Sequence, residues 1–480
     1  MAWQLELETA EDAQALYVRI ADALRRDALR GRLVAGQRLP GARTLAAQLG
    51  VHRKTVTAAY DELEAQGWLR TEAARGRFVT DVAPERFARG EREFVPGSAA
   101  YALGAPPPTP RPWPDARHDL GSGLPDLRLL PTEALARAYR RVLARAGRRW
   151  LDYGPPEGHP RLRAALAEML ATRRGLATRA EDVLVVRGSQ MGLWLVARTL
   201  LSKGDVVAVE SYGYRPAWDA FRSEGASLLP VPVDREGLDV QALATLADRR
   251  RLRAVYLTPH HQYPTTALLS APRRQALLAL ARRHRLAVIE DDYDHELHYE
   301  GRPVLPVASR DTSGSVIYVG TLSKVLAPGP RVGFVVAPPA VLERMARWRE
   351  IVDRQGDLAV EAAIAELLEE GELQRHVGRM RKAYAARRDA LVDAATRDLP
   401  QLSLHVPRGG LALWADAAPD LDVEAWKKRA LGQGVRIRTA ADFTFDGAPA
   451  PALRLSFAKG TEGELRDAVR ALRRALPRRR

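Results

Sequence analysis

Seven short apolar runs constrain this chain more than any other feature: residues 183–186, 206–209, 228–231, 254–257, 286–289, 316–319 and 332–336. None alternates apolar with polar residues. A strand of this kind is apolar on both faces and needs cover above and below. Helical stretches separate most of the runs and supply that cover, which predicts a largely parallel sheet with helices on both faces. From about Ile351 the pattern turns helical, then to shorter strand candidates at 411–414 and 452–457. These read as a smaller C-terminal α+β subdomain of an α/β domain over 119–480.

The first 82 residues follow a different pattern. Leu16, Tyr17, Ile20, Leu24 and Ala28 fall at helical spacing, and Gly31, Gly36, Pro40 and Gly41 then break the chain. Helices are predicted over 43–49, closed by Gly50, and over 54–66, closed by Gly67; a hairpin with Gly76 at its turn follows. Three helices and a hairpin make a winged helix-turn-helix. Its second and third helices place Arg43, Arg53, Lys54 and Thr55 where they can reach phosphates or base edges, and Arg75, Gly76 and Arg77 form a basic wing. Residues 19–80 hold 12 Lys or Arg against 6 Asp or Glu. These features predict a double-stranded DNA partner read as two half-sites. Residues 83–118 are the expected linker, proline-dense over 105–114 and so a semi-rigid spacer.

Charge is a weaker guide. The net charge of +15 suits a polyanion, but arginine is scattered along the whole chain. The absence of cysteine excludes disulfides and thiolate chemistry. No apolar run approaches the roughly 18 residues of a spanning helix, and the acidic first 12 residues do not resemble a secretory signal. A cytoplasmic protein with no membrane partner is expected.

The chemistry-bearing motifs follow the apolar runs. Gly320-Thr321-Leu322-Ser323-Lys324 leads to Arg331, Glu290-Asp291-Asp292-Tyr293-Asp294 closes another run, and Arg187-Gly188-Ser189-Gln190 opens a helix. A lysine for an imine, a strand-end acid for a ring nitrogen and a phosphate cup at a helix start are what pyridoxal 5′-phosphate (PLP) requires. Lys324, Asp291, Tyr293, Ser189, Gln190, Thr321, Ser323 and Arg331 are the candidates. Tyr214 is placed to stack on the ring, Tyr212 is read as core, and Thr258 to Thr265 line the ring's edge. A metal site using His295 and His298 is the lesser alternative, and no metal is expected.

The N-terminal motifs Leu39-Pro40-Gly41-Ala42-Arg43-Thr44-Leu45-Ala46 and Val51-His52-Arg53-Lys54-Thr55-Val56 resemble those of the GntR regulators. Residues 119–475 resemble fold-type I aminotransferases, and the whole chain resembles the MocR subfamily, which joins the two. The resemblance implies that Lys324 carries PLP as its imine, Asp291 pairs the pyridine nitrogen and Tyr293 binds the ring oxygen. It implies that Ser189, Gln190, Ser323 and Arg331 hold the phosphate, and that Tyr153 reaches the partner's cofactor in a head-to-tail, domain-swapped homodimer. Arg454 would grip the carboxylate of a small amino-compound effector. Four positions depart from the family pattern. Gly41 stands in place of a cap serine, His52 in place of the serine at the tip of the recognition helix, His260 in place of a serine, and Thr266 in place of a glycine. GABA-responsive members carry an arginine two residues after the stacking tyrosine; here that residue is Pro216, with Arg215 beside it as a substrate-binding candidate. The expected function is a PLP-dependent transcriptional regulator sensing an amino compound or PLP itself. The alternative is an active aminotransferase, of 2-aminoadipate or another amino acid, with a vestigial DNA-binding domain.

Overall fold

The computed structural model describes residues 3–7, 14–80, 99, 101–103 and 113–477. The chain divides into two compact units, Met1–Pro107 and Pro108–Arg480. The proline-dense stretch 105–114 lies almost wholly outside the described residues.

In the first unit α1 (Leu16–Leu29), α2 (Ala42–Leu49) and α3 (Arg53–Ala65) precede an antiparallel hairpin of β1 (Leu69–Glu72) and β2 (Gly76–Val79). Ile20, Leu24, Leu45, Val56, Tyr60, Leu63 and Val79 form its core, and Trp3, Leu5 and Leu7 pack against it. Gly50 takes φ +64° at the end of α2, a left-handed cap that glycine adopts without strain. The two departures at cap positions differ in outcome. Gly41 offers α2 no side-chain cap, whereas the His52 Nδ1 accepts the Lys54 N–H at 3.2 Å and caps α3 in the manner of a serine.

The second unit is built on a seven-stranded sheet: β3 (Val183–Val186), β4 (Val206–Glu210), β5 (Ser227–Val231), β6 (Leu252–Leu257), β7 (Ala287–Asp292), β8 (Val316–Thr321) and β9 (Gly333–Val336), in the order β3-β9-β8-β7-β6-β4-β5. Each apolar run supplies one strand. β9 alone runs opposite to the other six strands. Alternate side chains enter separate cores: Val207, Val209, Ala254 and Tyr256 on one face, Ala208, Val255 and Leu257 on the other. Both faces are therefore dry, as the unbroken apolar runs require. A four-stranded sheet of β10 (Leu402–His405), β11 (Ala412–Ala417), β12 (Arg438–Thr439) and β13 (Ala452–Ser456), in the order β10-β11-β13-β12, forms the smaller subdomain. The short strand His118–Asp119 pairs with Val435–Arg436. No helix among the described residues is long and apolar enough to cross a membrane.

Candidate functional site

Because β4, β6, β7 and β8 are parallel, Glu210, Thr258, Asp291 and Thr321 emerge at one edge of the sheet. Ligands of open α/β sheets bind at this carboxyl edge. Asp291 is buried at the end of β7. Its Oδ2 accepts the Tyr256 hydroxyl at 2.8 Å, and its buried Oδ1 has no partner among the described residues. Burial pushes its carboxyl up to about 7, against the lowering effect of the Tyr256 hydrogen bond. An unpaired buried oxygen is costly, and a protonated pyridine nitrogen would both pair it and restore its charge.

Lys324, half-buried, follows β8. Burial, then the Arg454 cation, lowers its amine to about 8, which leaves a usable share in the nucleophilic free-base form at neutral pH. Arg454 lies in β13, almost wholly buried, with its guanidinium carbon 5.1 Å from the Tyr263 ring centre. Its Nε and Nη1 have no partner among the described residues. Buried guanidinium N–H groups without a partner are suited to receive a carboxylate.

The phosphate candidates gather at the start of α4 (Gly188–Leu200). Gly188 takes φ +74°, and a Cβ there would lie 2.8 Å from the Arg331 Nη2. A Cβ on Gly333 would lie 2.8 Å from the Ser189 nitrogen. These two glycines let the arginine and the strand close up around the helix N-terminus. Arg331 donates to the Arg187 carbonyl at 3.1 Å, and the Thr321 hydroxyl donates to the Ser323 hydroxyl at 3.0 Å. Ser189 is half-buried in the first turn. Gln190 donates to the Pro216 carbonyl at 2.8 Å, with its Oε1 buried and unpartnered. A helix N-terminus, two hydroxyls and an arginine fit a phosphate, and the full donor set fits PLP.

The aromatic residues are less simply placed. Tyr214 meets the Tyr263 ring edge-on at 5.8 Å, and burial raises its hydroxyl to about 12. The Tyr293 hydroxyl donates to the His261 carbonyl at 3.0 Å, so binding a ring oxygen requires it to leave that carbonyl. Tyr153 is 74% exposed, with the Arg354 guanidinium 4.6 Å over its ring, outside the cluster around Lys324. Arg215, a substrate-binding candidate in the sequence, instead clamps a loop: its guanidinium donates to the carbonyls of Ala441, Asp442 and Thr444. Two residues that sequence reasoning missed support the site. Tyr256 lies hidden inside an apolar run. Glu210, pushed up to about 8 by burial, accepts both the N–H and hydroxyl of Thr258.

In the N-terminal unit, Arg43, Arg53 and Lys54 are exposed and make no ion pair among the described residues; Thr55 is half-buried. Arg75 pairs with Glu72 at 2.6 Å, and Gly76 takes φ +115° at the wing turn. Arg77 is not part of a free basic tip: it pairs with Asp61 and covers the Tyr60 ring at 5.2 Å, bracing the wing on α3.

Two family models match the chain: the bacterial regulatory proteins of the gntR family over residues 16–79, and aminotransferase class I and II over residues 118–472. The probable rhizopine catabolism regulatory protein MocR of Rhizobium meliloti is 33% identical over 96% of this chain and 93% of its own length. This chain belongs to the MocR-type regulators. The pyridoxine biosynthesis regulator PdxR of Corynebacterium glutamicum is 32% identical, with 86% of each chain covered. Among solved structures, the α-aminoadipate aminotransferase LysN of Thermus thermophilus, complexed with N-(5′-phosphopyridoxyl)-L-leucine, superposes with a TM-score of 0.70. It is 34% identical and covers 75% of this chain and 91% of that one. A GntR-type DNA-binding domain and a PLP-binding aminotransferase fold together make the chain a PLP-dependent MocR-type regulator.

The raised Asp291 carboxyl gives a pH signature. Between the ordinary carboxylate range near 4 and about 7, the folded cofactor-free protein holds a proton that the unfolded chain has released. Stability due to this group is therefore fully present below about pH 4 and falls as pH rises to 7, by an order of a few kcal/mol. Thermal unfolding across pH 4–8 should show the wild type losing stability relative to Asp291→Asn, and PLP should diminish that loss.

Proposed function

We propose that this MocR-type regulator turns occupancy of its PLP site by an amino compound into a change in its grip on two DNA half-sites. The observation that carries the reading is the coexistence of two incomplete surfaces. Asp291 and Arg454 keep buried polar atoms without a partner among the described residues, and Arg43, Arg53 and Lys54 are exposed cations on α2 and α3 with no ion pair among those residues. When bound, PLP supplies an aldehyde that condenses reversibly with amines on an electron-withdrawing ring. In this reading Lys324 offers the amine, and Asp291 holds the ring nitrogen's proton at Oδ1. Ser189, Gln190, Thr321, Ser323, Arg331 and the α4 N-terminus orient the phosphate. Tyr214 bounds the ring, Tyr293 turns its hydroxyl from the His261 carbonyl to the ring oxygen, and Arg454 receives the carboxylate. Arg75 and Gly76 bring the wing to the DNA backbone, Thr55 assists the α3 contacts, and the cytoplasm is the site of action. The complete imine set also supports an aminotransferase reading, as does 36% identity to a 2-aminoadipate transaminase over 74% of the chain.

An exposed apolar patch supports a homodimer. Leu151, Tyr153 and Ile351 are 70–74% exposed, and the Gln355 side chain bridges to the Asp152 carbonyl at 3.3 Å, joining the two segments. A second copy covering this patch would carry Tyr153 to its partner's cofactor, with the DNA-binding units exchanged head-to-tail. Sedimentation should show a dimer, and Tyr153→Ala should weaken PLP binding; a monomer that holds PLP fully contradicts this.

Borohydride reduction of the PLP-loaded protein should fix the pyridoxyl group on Lys324, and Lys324→Ala should abolish the adduct. Binding to the DNA upstream of its gene should weaken steeply with salt. Arg43→Ala should lower the salt slope by about one unit across sequences. Arg53→Ala should cost roughly 1–3 kcal/mol at one position of the site. No preference over random DNA in any ligand state would leave the aminotransferase reading in its place.

A further inference from the structure

The chain enters the second unit along a strap, residues 113–123, that ends against Arg454. At its far end the Trp113 ring lies beneath two cations, with the Arg436 guanidinium carbon 4.2 Å and that of Arg438 5.9 Å from its centre. Arg436 also donates to the Pro114 carbonyl. In the middle, His118 and Leu120 donate their N–H groups to the Gly434 and Arg436 carbonyls at 2.9 and 3.0 Å. Asp119 is tied to Arg436 at 2.5 Å and to Lys459 at 3.2 Å, and its Oδ1 accepts the N–H groups of Gly121 and Ser122. At the near end Gly123 abuts Arg454: a Cβ there would lie 3.0 Å from the Arg454 Nη2. The Arg454 guanidinium thus packs closely along the strap backbone at Gly123.

A second route runs through side chains. Across the small sheet Arg438 is the register partner of Arg454. Arg438 donates to the Tyr263 hydroxyl at 3.1 Å, and the Tyr263 ring lies under Arg454. Trp113 thus lies within cation–π range of the arginine that bonds the ring beneath the ligand-carboxylate candidate. Upstream of Trp113 the chain continues through the proline-dense stretch to the DNA-binding unit.

Resting on the regulator reading above, we propose that residues 113–123 are the element that reports carboxylate occupancy of Arg454 to the linker, with Trp113 as the positioning residue that couples the strap to Arg438 and Tyr263. Three features support this assignment. Arg454 has unpaired N–H groups that a carboxylate would draw toward itself. Gly123 lets the strap lie close against it. Cation–π contacts with the exposed indole, the Arg436 bond to the Pro114 carbonyl and the Asp119 pairs together fasten the strap to the same strand segment that contacts the site. A ligand without a carboxylate fills the ring and phosphate positions and leaves the strap unmoved.

The test uses two stable probes on the full-length protein: pyridoxamine 5′-phosphate, and N-(5′-phosphopyridoxyl)glycine, which adds a carboxylate and no side chain. Amide hydrogen exchange is followed over residues 113–123. The glycine adduct should slow exchange at His118, Leu120, Gly121 and Ser122 at least tenfold relative to pyridoxamine phosphate. In Trp113→Ala the slowing should be confined to 120–122 and lost at His118; Trp113→Phe, which keeps an aromatic face, should restore it. In the wild type, affinity for upstream DNA should differ between the two probe-loaded forms, and in Trp113→Ala it should not. Equal strap protection by the two probes overturns the proposal, as does an unchanged wild-type pattern in Trp113→Ala. Absence of DNA preference in every form, with strap protection as expected, overturns the regulator reading and leaves the strap's response to the carboxylate standing.

Discussion

The buried carboxyl of Asp291 is the constraint on which the rest of the second unit depends. A carboxylate at the end of a central strand, with one oxygen on Tyr256 and the other unpaired, is tolerable only where a cation can arrive. The parallel sheet brings it to an edge shared with Lys324, and the dry faces on either side exclude water that would otherwise solvate it. The same burial that raises the acid lowers the lysine, so both groups are held near the protonation states that a pyridine ring and an amine need. Arg454 repeats the logic from the small subdomain, with buried donors that await an anion.

Pairing, more than total charge, separates the arginines that hold the fold from those that face a partner. Arg174 is wholly buried and bonded to Glu296, Arg387 is tied to Asp126 at 2.8 Å, and Arg388 to Glu300 at 2.7 Å. These cations are neutralised locally and contribute little to an external field. Among the described residues Arg43, Arg53 and Lys54 have no such acids, so their field extends toward a polyanion. The +15 net charge thus mixes structural cations with functional ones, and only their neighbours distinguish them.

Much of this was legible in the sequence because its signals are local. Each apolar run became a strand of one sheet, and the Gly50 and Gly67 breaks fell at helix ends. The motifs around Asp291, Lys324 and Gly188 could be read because strand-end chemistry sits next to its strand. What stayed hidden depends on distant contacts. Tyr256 looks like core until its hydroxyl is seen on Asp291. Arg215 reads as a ligand residue until its guanidinium is found on three carbonyls far along the chain. Arg77 reads as a wing tip until Asp61 and Tyr60 claim it. The antiparallel course of β9 and the strap's hold on Arg436 likewise carry no sequence signature.

The central claim is that one site controls the other, and such coupling is reciprocal: if a bound amino-compound adduct changes DNA affinity by some factor, DNA must change the adduct's affinity by the same factor. The most direct measurement is a calorimetric titration of the cofactor-free protein with N-(5′-phosphopyridoxyl)glycine, with and without a saturating fragment of the upstream DNA. The account predicts that the adduct's dissociation constant shifts with DNA present, by the factor that the adduct imposes on DNA affinity. An identical dissociation constant in both titrations, with specific DNA binding intact, would contradict it.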